Sequence, residues 1–78
     1  MKEIQFTGNN VADVIDFLLG YNFIFVPNYD ETWQIYGKDQ YGRDYSKIVR
    51  DGDHIIVECY ELPVVTVIPQ RWFEEEVG

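Results

Sequence analysis

Four aromatic residues, Trp33, Tyr36, Tyr41 and Tyr45, are interleaved with four cations, Lys38, Arg43, Lys47 and Arg50. No other part of the chain has residue types and spacing so suited to a chemical task. A ring offers a stacking face to a base, and a neighbouring Lys or Arg offers a charge-assisted partner to a phosphate. The chemistry implied is non-covalent recognition of a small anionic ligand, such as a nucleotide. The same residues also suit the core of a small sheet protein, and strand register decides between the two. If Tyr36 stands opposite Arg43, then Gln34 meets Tyr45 and Thr32 meets Lys47, which gathers rings and polar groups on one face. A slip of one residue puts Trp33, Ile35, Tyr45 and Val49 in the core instead. The sequence leaves both registers open.

Signals for catalysis are thin. His54 is the single histidine and Cys59 the single cysteine. They lie five positions apart in one extended segment, so a strand points them to opposite faces and makes no thiol–imidazole pair. Cys59 falls on the side of Ile55 and Val57, as a small core residue would. The C-x-x-C and H-x-x-x-H spacings of zinc sites are absent. Asp51 and Asp53 flank Gly52 but lack the twelve-residue calcium loop with its closing Glu. Their carboxylates suit a turn, bonding nearby backbone N–H groups. Ser46 has no G-x-S-x-G setting, and the spacing from Gly37 to Gly42 lacks the Lys-Ser/Thr of a phosphate loop. The acidic pairs at Asp30-Glu31 and Glu74-Glu75-Glu76 sit in polar surroundings that give no cause for a raised pKa. The chain is expected to bind rather than catalyse, with no cofactor and no metal.

With 78 residues the chain makes one domain, residues 1–78, whose core is marginal unless well packed or shared with another copy. A hydrophobic fraction of 46% with 17% aromatics suits a globule, not a disordered chain. One cysteine excludes an internal disulfide scaffold. The start at Met1-Lys2-Glu3 leads into no apolar signal segment, and no apolar run reaches bilayer length. A cytoplasmic protein off the membrane is the expectation. The net charge of −8 opposes direct nucleic-acid binding and suits a basic protein partner. That charge is uneven: residues 33–50 carry +2, and the rest of the chain −10.

The elements that must position these residues follow from period and punctuation. Residues 2–7 alternate, with Ile4 and Phe6 on one side, and predict a half-buried strand. Asn10 is placed to cap a helix with its side chain. Val11, Val14, Ile15, Leu18 and Leu19 then form an apolar stripe at helical spacing, with Asp13 and Asp16 outside it and Gly20 as a left-handed stop. Residues 23–26 predict a short buried strand. Residues 32–36 and 43–49 predict a hairpin around 37–42, and residues 54–60 a strand after the turn at 51–53. Residues 64–68 predict a last, β-branched strand, followed from Pro69 by a short helix through Glu76, docked by Trp72 and Phe73. The fold class expected is α+β: a mostly antiparallel sheet of five to six strands covered by one helix from the N-terminal half, with a short C-terminal helix. An uncharged last strand at a sheet edge would template pairing with another copy. A homo-oligomer through Val64, Val65 and Val67, with Trp72 and Phe73 beside them, is expected.

The opening Glu3-Ile4-Gln5-Phe6-Thr7-Gly8-Asn9-Asn10, the helix running to Phe17-Leu18-Leu19-Gly20, the turn Gly52-Asp53-His54-Ile55-Ile56 and the closing Pro69-Gln70-Arg71-Trp72-Phe73-Glu74 occur in a telling order. That order resembles a family of small accessory proteins of tailed phages and prophages. The resemblance spans nearly the whole chain and lies in structural punctuation, with no catalytic signature. It departs at His54, where an aromatic is common, and at the C-terminus, where the chain ends in Glu76-Val77-Gly78. What the resemblance implies is a binding protein that serves a phage against host defence, in the host cytoplasm. Two mechanisms fit. One is sequestration of a nucleotide immune signal on the aromatic-basic hairpin. The other is an acidic, nucleic-acid-mimicking inhibitor, resembling anti-CRISPR proteins, that presents Asp13, Asp16, Glu74, Glu75 and Glu76 to a basic host enzyme. A minor structural or regulatory phage component is a third implication.

Overall fold

A computed structural model describes residues 2–72 of the chain. In chain order it contains β1 (Lys2–Gln5), α1 (Val11–Leu19), β2 (Ile24–Pro27), β3 (Trp33–Lys38), β4 (Asp44–Val49), β5 (His54–Cys59) and β6 (Pro63–Ile68). A helical turn begins at residue 70. The remainder of the expected C-terminal helix, with Phe73 and Glu74 to Glu76, lies outside the described residues.

The fold is α+β, but the strands do not form one sheet. They form two antiparallel sheets of three, in the orders β1-β5-β6 and β2-β3-β4. The cause is coverage. A six-stranded sheet needs an apolar layer across its whole inner face, and a nine-residue helix is too short to supply one. The two sheets cover each other instead. Phe6, just past β1, meets Phe25 of β2 edge-on at 5.3 Å and Trp33 of β3 at 5.7 Å, while Phe25 and Trp33 stack at 4.7 Å. Ile35 and Val49 from one sheet join Ile55, Val57 and Val65 from the other, with Val14 and Leu18 of α1 closing the core. Each methylene group so buried contributes about 0.8 kcal/mol.

The helix forms where its stripe predicts, and its depth is uneven. Val14 and Leu18 are buried, whereas Ile15 and Leu19 are exposed. Both ends differ from expectation. Asn10 does not cap with its side chain. Its Oδ1 accepts the Thr7 N–H at 2.9 Å and its Nδ2 donates to the Gln5 carbonyl at 2.8 Å, so it ties the helix back to β1. Gly20 is right-handed, and the left-handed residue is Asn22, at φ 65°. The chain turns there, with the Phe23 N–H donating to the Leu18 carbonyl at 3.0 Å. β2 is buried on one face: Phe25 is buried, as is Phe23 just before the strand, and Ile24 is exposed.

The turn at 51–53 is joined to the start of the chain. The Gly52 N–H donates to the Phe6 carbonyl at 2.6 Å, and the Phe6 N–H donates to the Asp53 carbonyl at 2.9 Å. Gly52 lies at φ 91°, and a Cβ there would collide with the Gln70 side chain, so this position requires glycine. The buried Asp53 carboxylate accepts the Arg50 N–H at 2.9 Å. Cys59, expected in the core, is exposed. It ends β5 opposite Pro63, beyond the reach of the apolar layer.

Candidate binding groove between β4 and β6

The hairpin is shifted three residues from the Tyr36–Arg43 pairing, an odd shift that turns the strands' faces as the one-residue slip would. Tyr36 pairs with Ser46, Gly37 with Tyr45, Ile35 with Lys47 and Trp33 with Val49. This is the arrangement that turns Trp33, Ile35, Tyr45 and Val49 inward together, and it excludes the Tyr36–Arg43 pairing. Its physical origin lies at the hairpin tip. The Asp39 carboxylate accepts the backbone N–H groups of Tyr41 at 2.8 Å and Arg43 at 2.9 Å. The Asp39 N–H donates to the Arg43 carbonyl at 2.9 Å, and Gly42 supplies φ 76°. A side chain that bonds to the backbone just ahead fixes a tight turn and with it the register. The Arg43 N–H holds the Asp39 carboxyl below its usual range, with the Tyr41 N–H and the Arg43 side chain adding to the effect.

Gly37, expected in the turn, lies in β3. A Cβ there would stand 2.5 Å from two carbons of the Phe23 ring. Phe23 fills that space and meets Tyr45 edge-on at 6.3 Å. Burial pushes the Tyr45 phenol up, against the opposing effect of the Val65 backbone and with a smaller contribution from the Asp39 charge.

β4 and β6 are each the edge strand of their sheet, and they lie side by side. Between them runs a groove of about 450 Å³. Tyr41, Arg43, Tyr45 and Lys47 form one wall, and residues 62–66 form the other. Four of the seven residues singled out in the sequence therefore converge. The other three do not. Trp33 is packed in the aromatic stack of the core. Tyr36 lies on the outward face of its sheet, and Arg50 follows the far end of β4, where its charge helps to lower the Asp30 carboxyl, after the larger effect of Thr32.

The groove's cations are partly engaged. Lys38 pairs with Asp44 at 2.6 Å, and Arg43 donates through Nε to Asp39 at 2.9 Å. The Arg43 guanidinium also lies 5.0 Å from the centre of the Tyr41 ring. Among the described residues no carboxylate pairs with Lys47. A second concavity, of about 470 Å³, shares Lys38, Asp39, Leu62 and Pro63 with the groove and extends past the hairpin tip to Tyr21, Ile24 and Tyr36.

The second wall is not evident from motifs. Leu62, Pro63 and Thr66 carry no chemical signature, and their signal is positional: a turn and an edge strand that the fold brings beside the basic hairpin. The expected interface residues divide likewise. Val64 is exposed, Val65 is buried in the core and Val67 packs against it, which removes Val65 from any contact surface. Trp72 is exposed, and Phe73 lies outside the described residues. His54 is buried with Nδ1 3.6 Å from the Glu3 carboxylate. Among the described residues no group of His, Cys, Asp and Glu is arranged to hold a metal ion, and no helix is long and apolar enough to cross a membrane.

Compared with protein-family models, with curated proteins and with solved structures, the chain has no significant match in any of the three.

Proposed function

We propose that this chain is a non-catalytic binding protein that sequesters a small anionic ligand with a flat ring, of the nucleotide class, in the groove between β4 and β6. The observation that carries this reading is the convergence of Tyr41, Arg43, Tyr45 and Lys47 on one wall, facing the second wall at residues 62–66. Tyr41 supplies an exposed ring for stacking, and Lys47 a cation without a carboxylate partner among the described residues. Arg43 would hold a phosphate while Asp39 fixes its position. The resemblance to phage accessory proteins adds the setting, in which such capture removes a nucleotide signal of host defence.

Calorimetric titration against a panel of linear and cyclic nucleotides tests this. Tyr41→Ala and Lys47→Ala alter exposed side chains and should leave the fold intact. Removing one charge-assisted hydrogen bond to the ligand should weaken binding by about 1.5–3 kcal/mol. Absence of heat with every nucleotide would reject the reading.

A second reading rests on the internal pairing of Lys38 with Asp44 and Arg43 with Asp39, which leaves the −8 of the whole chain dominant. An acidic inhibitor would present Asp13 and Asp16, both exposed on α1, to a basic protein. Its binding would fall steeply with salt, and substitution of Lys47 would leave it unchanged.

A further inference from the structure

Resting on the nucleotide reading of the β4–β6 groove, we infer that the ligand is a dinucleotide: phosphate and one base lie in the groove, and the second base lies in the concavity past the hairpin tip. The two hollows adjoin, since Lys38, Asp39, Leu62 and Pro63 line both. They measure about 450 and 470 Å³, each within the range that takes one small-molecule ligand. A mononucleotide occupies one of them and leaves the other to water.

Charge assigns the parts of the ligand. Three cations, Lys38, Arg43 and Lys47, line the groove against one carboxylate, Asp39. The second hollow has the opposite balance, with Lys38 against Asp39 and Asp44, and Lys38 is itself paired with Asp44 at 2.6 Å. A phosphate is therefore drawn to the groove and repelled from the second hollow.

What the second hollow offers is apolar surface and neutral polar groups. Ile24 stands opposite Tyr36 in the β2–β3 pairing, and at 58% and 45% exposure the two make a platform for a flat ring. Tyr21, held edge-on against Phe17 at 5.7 Å, adds a second ring. Asn22 supplies a polar handle. It is exposed on the turn after α1 at φ 65°, and its side-chain amide makes no hydrogen bond among the described residues. A carboxamide carries donor and acceptor side by side and matches the edge of a base, adenine above all.

Calorimetric titration of the full chain with adenosine diphosphate and with terminally phosphorylated linear diadenylate tests the inference. The two ligands carry similar charge and differ in the second nucleoside. Diadenylate should bind one per chain, and roughly tenfold or more tightly than the diphosphate. Tyr36→Ala and, separately, Asn22→Gly should bring diadenylate down toward the diphosphate and leave the diphosphate unchanged; glycine keeps the positive φ at position 22 accessible. Lys47→Ala should weaken both ligands. The three side chains are exposed, and circular dichroism checks that each variant folds. If the diphosphate binds and diadenylate binds no more tightly, the inference falls and the nucleotide reading of the groove stands. The same holds if Tyr36→Ala and Asn22→Gly weaken both ligands equally, or if two diphosphates bind per chain. Absence of heat with either ligand removes the groove reading and the inference together.

Discussion

Replacing Gly37 with alanine should destabilise this protein, against the usual sign of that change in a strand. Gly37 has no positive φ. At a compatible position Gly→Ala normally stabilises by about 0.4–1 kcal/mol, because the unfolded chain loses freedom. Here the new Cβ would lie 2.5 Å from Cδ1 and Cε1 of Phe23, an ångström or so inside ordinary contact, and 3.4 Å from Tyr45. Phe23 cannot retreat cheaply, since it is buried and its ring meets Tyr45 edge-on. Overpacking of this kind costs about 1–3 kcal/mol. Allowing for the chain-entropy gain, the net loss should be about 1–2 kcal/mol. For a domain of this size each kcal/mol lowers Tm by about 4–8 °C. Urea unfolding followed by the fluorescence of Trp33, which is packed in the core, reads the change. A double-mutant cycle isolates the cause: Phe23→Leu removes the ring edge at a cost on the order of 1–1.5 kcal/mol, and in that background Gly37→Ala should be close to neutral. A Gly37→Ala protein more stable than wild type would refute the reasoning, as would an equal effect in both backgrounds.

Three further outcomes follow from the same structure. Val14→Asp or Leu18→Asp should abolish cooperative unfolding, because each places a charge at a fully buried position, while Asp16→Ala on the exposed side should shift the midpoint by less than about 0.5 kcal/mol; similar shifts in all three would refute the helix packing. Asp53→Ala leaves the Arg50 N–H without its acceptor and should cost about 1–3 kcal/mol, whereas Asp53→Asn keeps an oxygen there and should cost less, as chemical denaturation would show. The Asp30 carboxyl is held below its ordinary value of 3.8, chiefly by the Thr32 hydroxyl at 2.6 Å, so its contribution is complete above that value and is lost as pH falls through the lower folded value; Asp30→Asn should flatten the acid limb of the stability–pH curve.

What the sequence reveals is local. The α1 stripe is visible because helical period and a nine-residue length leave few alternatives. The strands are visible through alternation and turn residues. Their division into two sheets is not, since it depends on which faces meet across the core. Phe6, Phe25 and Trp33 look like three separate aromatics until the chain folds them together. The hairpin register stays open in the sequence because it depends on one carboxylate, Asp39, bonding to two N–H groups ahead of it. Gly37 and Gly20 mislead for a common reason. Residue type suggests a backbone role for each, but Gly37 serves to make room for a ring, and the left-handed position falls to Asn22. The period-two rule gives Cys59 its face but not its depth, because alternation says nothing of where a sheet outruns its cover.

The opening of the chain and the turn after β4 acquire a physical meaning once they are seen together. Gln5, Phe6, Thr7 and Asn10 at the start of the chain, and Arg50, Gly52 and Asp53 in the later turn, build one hydrogen-bonded corner. That corner fixes where β5 leaves β4 and enters the other sheet beside β1. Because β6 pairs on the opposite side of β5, fixing β5 also decides that the free edge of β6 arrives next to β4. The groove between those edges is therefore set by residues that never touch it. The punctuation is what this scaffold needs, while Tyr41, Arg43 and Lys47 occupy exposed positions away from the corner. Specificity for a ligand would then lie in the hairpin wall, and the capacity to form a groove at all in the corner.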